Sequence, residues 1–238
     1  MLDVLLPISI PNVDLVPEAL ELLERFTDVP ARVIAIVDGG HRQDFAVAES
    51  ALRGGSLEWV LLHEESPHGL NHCIGEAVEA ARHPFVAFMQ PHVRLSDSKW
   101  FGKMQQVLLA DQTTGIIDTI PNTMSSSQAP VKRQVHRMPD PGCALALLTG
   151  RFFTGSISPP GNADPVSWWA RQAINNGGSC WHAGGVHYTL IEHTPHPLQL
   201  AWQEPSESPN HRESPSPTTP ASSTRTTTGK AGSTDFEL

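Results

Sequence analysis

Hydrophobic and polar positions follow two recurring patterns along the chain. Short, continuous apolar runs are typical of strands that are covered on both faces of a sheet. Longer stretches with apolar residues three and four positions apart are typical of helices that bury one side. These patterns predict strands over residues 4–10 (interrupted at Pro7), 32–37, 57–62, 85–89, 115–120, 144–148, 179–181 and 186–191, and helices over residues 13–26, 43–52, 70–81 and 164–176.

The predicted strands and helices alternate, which indicates an α/β fold. Continuous apolar strands separated by amphipathic helices predict a mostly parallel central sheet with helices on both faces. Ligands of such folds bind at the carboxyl ends of the strands. Three strand ends therefore become candidate sites: residues 11–12, 38–40 and 90–92.

The composition changes sharply at Gln203. Proline, serine and threonine supply 19 of the 36 residues from Gln203 to Leu238, and Phe236 is the only aromatic residue there. A segment with so little apolar surface does not offset the entropy lost on ordering. We therefore predict a folded domain over residues 1–202 and a disordered tail over residues 203–238.

Charge and hydropathy exclude several classes of protein. The net charge of −9 makes general nucleic-acid binding a poor expectation, because that binding depends on neutralising phosphates. No apolar run reaches the ~20 residues that cross a bilayer. Asp3 stands where a signal peptide carries positive charge. These features predict a cytoplasmic protein without a transmembrane segment.

The order of several segments resembles a known enzyme family. The first strand runs through Leu6–Asn12 into a turn with proline and asparagine, and the second ends at Asp38-Gly39-Gly40. Residues Pro67–Asn71 lead into a helix and then the fourth strand, and Asn162–Arg171 opens a late helix with Asp164. Over residues 4–193, this order resembles the family-2-type glycosyltransferases with a GT-A fold, which use nucleotide-sugar donors.

The resemblance implies a function and a set of site residues. The expected reaction moves a sugar, with inversion, from a nucleotide-diphosphate donor of the UDP-sugar type to a hydroxyl of a glycan, protein or small molecule. Asp164 is the implied base that removes the acceptor proton. Trp168 and Trp169 are the implied acceptor-binding residues. The implied donor-binding residues are Pro11, Asn12, Asp38, Gly69, Asn71, Gln90, His92 and Arg171.

One motif departs from the family pattern. Such enzymes usually end the fourth strand with Asp-x-Asp, which holds a divalent metal, whereas this chain has Gln90-Pro91-His92. A neutral amide is a poor ligand for Mg²⁺, and imidazole suits Mn²⁺ better. We expect a Mn²⁺ or Mg²⁺ ion to be held weakly at His92 or to be absent. The alternative function is a catalytically silent GT-A-like binding or scaffold domain.

Several of these residues also fit an ordinary structural role. Asp38 precedes glycine, where aspartate commonly forms a turn. Asp164 precedes Pro165, which suits a helix N-cap followed by proline in the first turn. Of the adjacent Trp168 and Trp169, helical geometry places one in the core. The sequence leaves these alternatives open.

Overall fold

The computed structural model describes residues 1–8, 10–38, 42–64, 69–119, 131–132, 143–149, 158–161, 163–183, 185–186, 188–191 and 224–230. The strands are β1 Leu2–Ile8, β2 Ala31–Asp38, β3 Glu58–Glu64, β4 Phe85–Met89, β5 Val93–Leu95, β6 Thr114–Asp118, β7 Val131–Lys132, β8 Leu145–Thr149, β9 Ser179–His182, β10 Tyr188–Leu190 and β11 Thr224–Lys230. The helices are α1 Val16–Phe26, α2 Arg42–Gly54, α3 Leu70–Ala80, α4 Trp100–Ala110 and α5 Pro165–Asn175, with a 3₁₀ helix at Ile10–Leu15. Among these helices, none has the length and apolar character needed to cross a membrane.

Nine of the described strands form one central sheet in the order β11-β3-β2-β1-β4-β8-β6-β9-β7. Strands β1, β2, β3, β4, β6 and β9 run in the same direction, and β7, β8 and β11 run against them. β5 and β10 pair in a separate antiparallel ribbon. The sheet is therefore mostly parallel, as predicted.

Helices cover both faces of this sheet. Side chains of a strand point alternately to opposite faces, so Val4 and Leu6 pack on one side of β1 and Leu5 packs on the other. The core that contains Val4 also takes in the buried residues of α1, α2 and α4. The core that contains Leu5 includes those of α3 and α5. We call the second side the α3/α5 face.

Two local expectations differ from the structure. Pro7 does not interrupt β1, because it pairs with Ile36 of β2, whereas the pairing of β1 with β4 runs only over Asp3–Leu5. A proline is tolerated where no ladder partner needs its missing N–H. Helix α4 was not predicted from the sequence, although its buried residues have helical spacing: Trp100, Phe101, Met104, Val107 and Leu108.

A strand also forms within the segment that was predicted to be disordered. Residues Thr224–Lys230 pair antiparallel with β3 along its whole length, from Thr224 opposite Glu64 to Lys230 opposite Glu58. The disorder predicted for residues 203–238 is therefore wrong for β11, whose threonine-rich sequence suits a strand. The other residues of the tail lie outside the described part, and the boundary at 202 stays a prediction.

A buried ionic cluster holds the amino end of the sheet together. Asp3 Oδ1 accepts a hydrogen bond from Nε of Arg32 at 2.7 Å, and Nδ1 of His83 lies 2.9 Å from the same oxygen. Asp3 Oδ2 accepts the backbone N–H groups of Arg82 and His83 at 2.7 and 2.8 Å. Burial opposes the charge of Asp3, but these hydrogen bonds, led by that of Arg32, lower its pKa below 3.8. We call Asp3, Arg32 and His83 the amino-end cluster.

Candidate active site

Polar residues collect at the opposite, carboxyl end of the sheet. Asp38 ends β2, Gln90 follows β4, and Pro11 and Asn12 lie in the 3₁₀ helix after β1. Because the carboxyl ends of parallel strands meet at one edge, the structure brings these predicted residues to the same edge. Asn12 is fully buried there.

Asp38 and Gln90 share the α3/α5 face. Ile36 of β2 and Phe88 of β4 both belong to the core on that side, and strand alternation puts Asp38 and Gln90 on the same side. A contact confirms this for Asp38, since Sγ of Cys73 in α3 lies 3.4 Å from its Oδ1. Asp38 is half-buried, so part of the residue is exposed to solvent.

Gln90 is the most unusual polar side chain at this edge. Its backbone N–H donates to the carbonyl of Ala144 at 2.9 Å, which continues the pairing of β4 with β8. The side chain is 1% exposed, and neither Nε2 nor Oε1 has a hydrogen-bond partner among the residues that the structure describes. Buried amides almost always have partners, because an unsatisfied polar group costs about 1–3 kcal/mol. An unsatisfied donor and acceptor together are suited to a polar ligand or a bound water.

His92 follows in the turn between β4 and β5 and is 3% exposed. Its carbonyl accepts the N–H of Ile191 at 3.3 Å, which links the turn to the end of β10. Within the described residues, no three histidine, cysteine, aspartate or glutamate side chains cluster as metal ligands do. The donor set at this turn, an amide and an imidazole, does not fit the carboxylate site that the resemblance implies for Mg²⁺.

The start of α3 is joined to the loop before α5 through Asn71. Its Nδ2 donates to the carbonyls of Gly161 and Ala163 at 2.6 and 2.9 Å, while its buried Oδ1 has no hydrogen-bond partner among the described residues. Gly69, at the N-cap, has a φ of +92°, which favours glycine, and offers no capping side chain. Asn71 therefore fixes two helix N-termini together, and only its oxygen is left for a ligand.

Asp164 caps α5. Its Oδ1 accepts the N–H of Ser167 at 2.8 Å, and Pro165 occupies the first turn. The capping role that the sequence left open is thus confirmed, while the catalytic role is not tested by this geometry. A carboxylate that accepts one backbone N–H keeps further lone pairs, so capping is compatible with proton transfer.

The two tryptophans of α5 have different environments. Trp169 is completely buried and packs edge-to-face on Phe88 with 5.7 Å between ring centroids. Its ring has no face open to an acceptor, so the acceptor-binding role predicted for Trp169 is wrong. Trp168 is half-buried against the same core and keeps part of its surface accessible. Arg171 is exposed one turn further along α5.

Two more polar residues occupy this end of the sheet, on β6 and β9. Asp118 Oδ1 lies 2.7 Å from Nδ1 of His182, and the parallel register places these residues side by side. Asp118 was not predicted as a site residue, although it ends an apolar strand just as Asp38 does. The pairing itself joins residues 64 positions apart and has no local signal.

The buried thiol of Cys143 is affected by two of these carboxylates. Burial, followed by the charges of Asp118 and Asp164, raises the pKa of its thiol to about 12. Burial also raises the pKa of the Tyr188 phenol, with Cys143 and Asp118 contributing. The thiol and the phenol therefore stay protonated at neutral pH.

Comparison with known proteins supports the fold. No protein-family model matches the chain, and no curated protein matches it. Similar solved structures include the mannosyltransferase PcManGT from Pyrobaculum calidifontis in complex with GDP-Man and Mn²⁺, with a TM-score of 0.67 at 16% identity over 82% of this chain and 58% of that one. S. aureus TarS 1-349 in complex with UDP-GlcNAc has a TM-score of 0.64 at 12% identity, over 82% and 60% of the two chains.

A third similar structure is more distant. Glucosyl-3-phosphoglycerate synthase from Mycobacterium tuberculosis, in complex with Mg²⁺ and UDP, has a TM-score of 0.52 at 10% identity over 80% of this chain and 71% of that one. Together these likenesses show the GT-A-like nucleotide-sugar-transferase fold predicted from the sequence. The chain spans 58% and 60% of the lengths of the first two structures.

Proposed function

We propose that this chain transfers a sugar, with inversion, from a nucleotide-diphosphate donor of the UDP-sugar type to a hydroxyl acceptor. The observation that carries the proposal is the position of Asp38, Gln90 and Asp164. On a GT-A-like fold, Asp38 and Gln90 lie at the carboxyl edge of the sheet on the face that α5 covers, and Asp164 caps α5. The resemblance assigns Asp38 to binding of the nucleoside, Gln90 to binding of the diphosphate, and Asp164 to the role of the base.

The donor half of the site lies across β1, β2 and β4. The Asp38 carboxylate suits the N–H of a nucleobase or a ribose hydroxyl. Pro11 and Asn12 would line the nucleoside from the neighbouring turn. The N-terminus of α3, at Gly69 and Asn71, favours an anion because its first N–H groups are not used within the helix.

The diphosphate would lie over the turn at Gln90 and His92. The unsatisfied amide of Gln90 has a donor for a phosphate oxygen. This turn lacks the two carboxylates that hold a metal in the resembling family, so we propose that donor binding depends little on a divalent ion. Arg171 would add positive charge where the leaving diphosphate develops charge.

Transfer requires one proton movement and one bond exchange. The acceptor hydroxyl gives its proton to Asp164 as its oxygen forms a bond to the anomeric carbon. The bond between that carbon and the diphosphate oxygen breaks, and its electron pair leaves with the nucleoside diphosphate. Trp168 would contact the acceptor from α5.

A catalytically silent binding domain is the second candidate. Gln90-Pro91-His92 in place of Asp-x-Asp favours it, because loss of a metal site commonly weakens such catalysis. For either candidate, we also propose that the chain is of the family-2 type and that it is cytoplasmic. We propose in addition that it divides at residue 202 into a folded domain and a tail.

A donor panel tests the proposal. Isothermal titration of the full chain with UDP-glucose, UDP-GlcNAc, GDP-mannose and UDP, with Mn²⁺ or with EDTA, measures which donor binds and whether it needs metal. Mass spectrometry of the same mixtures with polyol and glycan acceptors detects transfer. Binding with transfer supports the enzyme, and binding without transfer or donor hydrolysis supports the silent domain. If no donor binds, both candidates are wrong.

A further inference from the structure

The pair of Asp118 and His182 is a rigid arrangement that has no role in the proposed donor binding and proton transfer. Asp118 is 1% exposed and His182 is 9% exposed, and their 2.7 Å contact joins the last residues of two parallel strands. The N–H of Ala183 donates to the carbonyl of Asp118 at 2.9 Å, which fixes the backbone beside the pair. Imidazole orientation is therefore set by the sheet.

The contact with Asp118 also sets the hydrogen-bonding character of the ring. A carboxylate accepts hydrogen bonds, so it selects the tautomer of neutral His182 that carries its proton on Nδ1. The other nitrogen, Nε2, then has a lone pair. A nitrogen of this kind accepts a hydrogen bond from a hydroxyl group.

The pair lies on the side of the site where the acceptor would bind. Asp118 follows Ile116 with strand alternation, and Ile116 belongs to the α3/α5 face. His182 follows Cys180 with the same alternation, and Cys180 belongs to the same face, which is covered by α5 with Asp164 at its N-cap. His182 is thus on the side of Asp164, while β8 and β6 separate it from β4 and the donor half.

Among the described residues, the groups that contact this pair or lie beside it are neutral donors or carboxylates. Tyr188 donates its O–H to the carbonyl of Thr119 at 3.3 Å, and Cys143 donates to the carbonyl of Leu145 at 3.2 Å. Asp118 and Asp164 contribute negative charge. A second anion on this side would meet like-charge repulsion, which is a common way to exclude a wrong ligand.

We propose that His182, oriented by Asp118, binds the acceptor through a hydroxyl group, and that the acceptor is an uncharged polyol or glycan. In this assignment His182 is a binding residue and Asp118 is a positioning residue. The inference rests on the proposed glycosyl transfer, in which Asp164 takes the proton from the reacting hydroxyl. His182 would hold a second hydroxyl of the same molecule and orient it.

Ligand-observed NMR on the full chain saturated with UDP tests this inference. The probes are ribitol and maltose, compared with ribitol 5-phosphate and glucose 6-phosphate. The variants are His182→Gln and Asp118→Asn. Asp111→Asn is the matched control, because Asp111 is also bonded to β9, through Ser179 and Trp181, but at the other end of the strand.

We expect His182→Gln to weaken the binding of ribitol or maltose about tenfold, which is the effect of one lost hydrogen bond. Asp118→Asn should lower the affinity for ribitol and maltose by a smaller factor, because the imidazole loses its fixed tautomer. The affinity for UDP should stay unchanged in both variants. Asp111→Asn should change neither affinity, and the phosphorylated probes should bind the wild type more weakly than the neutral ones.

Two results would overturn the inference while the proposed function stands. One is equal affinity of the wild type and His182→Gln for every neutral probe that binds. The other is tighter binding of the phosphorylated probes. If His182→Gln unfolds, Asp118→Asn decides alone, and an unchanged acceptor affinity there also overturns the inference. Absence of UDP binding by the wild type contradicts the proposed function itself.

Discussion

The two ends of the central sheet both bury polar side chains, but they leave those side chains in different states. At the amino end, both carboxylate oxygens of Asp3 have partners, supplied by Arg32, His83 and two backbone N–H groups. At the carboxyl end, the amide of Gln90 is just as buried, and neither of its atoms has a hydrogen-bond partner in the described part of the chain. The first arrangement stabilises the fold, whereas the second costs stability and suits a ligand.

This difference follows from how a parallel sheet is built. The chain enters the amino end through short turns such as residues 81–84, whose N–H groups reach Asp3 directly. At the carboxyl end the first residues of α3 and α5 direct N–H groups outward, and the strands end between them. Polar residues there have room for a ligand, so their partners need not come from the protein. Changes at both ends and at the edge of the sheet would break or sharpen this comparison.

The largest effect is expected at Asp164. Asp164→Asn should lower sugar transfer by about 10²–10⁴-fold, because an amide cannot take the acceptor proton. Stability should hardly change, since asparagine caps helices as well as aspartate does. Steady-state kinetics with donor titration separates these effects. Near-normal transfer by the variant would limit Asp164 to capping α5.

Breaking the amino-end cluster should destabilise the fold without changing the affinity of the site for its donor. Asp3→Ala leaves Arg32 buried without its carboxylate, which costs about 3–5 kcal/mol in the free energy of unfolding. Urea denaturation measures this loss. Donor affinity of the fraction that stays folded should equal that of the wild type. A loss below about 1 kcal/mol would mean that the cluster contributes little.

The same cluster predicts a pH dependence. The pKa of Asp3 is lower in the folded state than the value of 3.8 expected without the fold. Its contribution to stability is therefore complete above pH 3.8 and is lost as the pH falls through the folded-state pKa. Acid unfolding of Asp3→Asn should be less steep than that of the wild type in this range. Identical acid profiles would contradict the lowered pKa.

At the carboxyl end, donor binding should depend on Asp38 more than on His92 or metal. We expect Asp38→Ala to weaken the binding of UDP about 10–100-fold, as for a lost hydrogen bond to a charged group. His92→Ala and EDTA should each have a smaller effect. Isothermal titration of both variants, with Mn²⁺ or EDTA, gives the ranking. Complete loss of binding in EDTA would make His92 a metal ligand after all.

Gln90 tests the comparison most directly, because stability and binding should move in opposite directions. Gln90→Met keeps the length of the side chain and removes both unsatisfied atoms. It should raise the free energy of unfolding by about 1 kcal/mol without donor and weaken donor binding. Thermal unfolding with and without UDP measures both changes. A loss of stability without donor would show that Gln90 already has a partner, such as a water.

The smallest effect concerns β11. Deleting residues 224–238 exposes the edge of β3 and should lower the unfolding temperature by about 2 °C, in line with a loss below 1 kcal/mol. Hydrogen exchange should become faster at amides of Glu58–Glu64 and stay unchanged in β1. Equal exchange rates in β3 with and without the segment would mean that the strand contributes nothing in solution.

Local patterns predicted much of this molecule. Apolar runs located β1–β4, β6, β8 and β9, because a strand buried on both faces needs apolar residues at successive positions. The Asp164-Pro165 pair identified the start of α5, since both residues suit the first turn of a helix. The placement of Asp38 at a strand end also followed from its neighbours alone.

What only the tertiary structure decided are the choices that depend on distant partners. The sequence places Trp168 and Trp169 side by side, and only the docking of α5 on Phe88 determines that Trp169 is the buried one. The use of the Asn71 amide depends on carbonyls 90 and 92 residues away. The contact of Asp118 with His182 depends on the register of two strands. Local sequence encodes backbone preference and periodicity, whereas these contacts arise only when separate elements pack together.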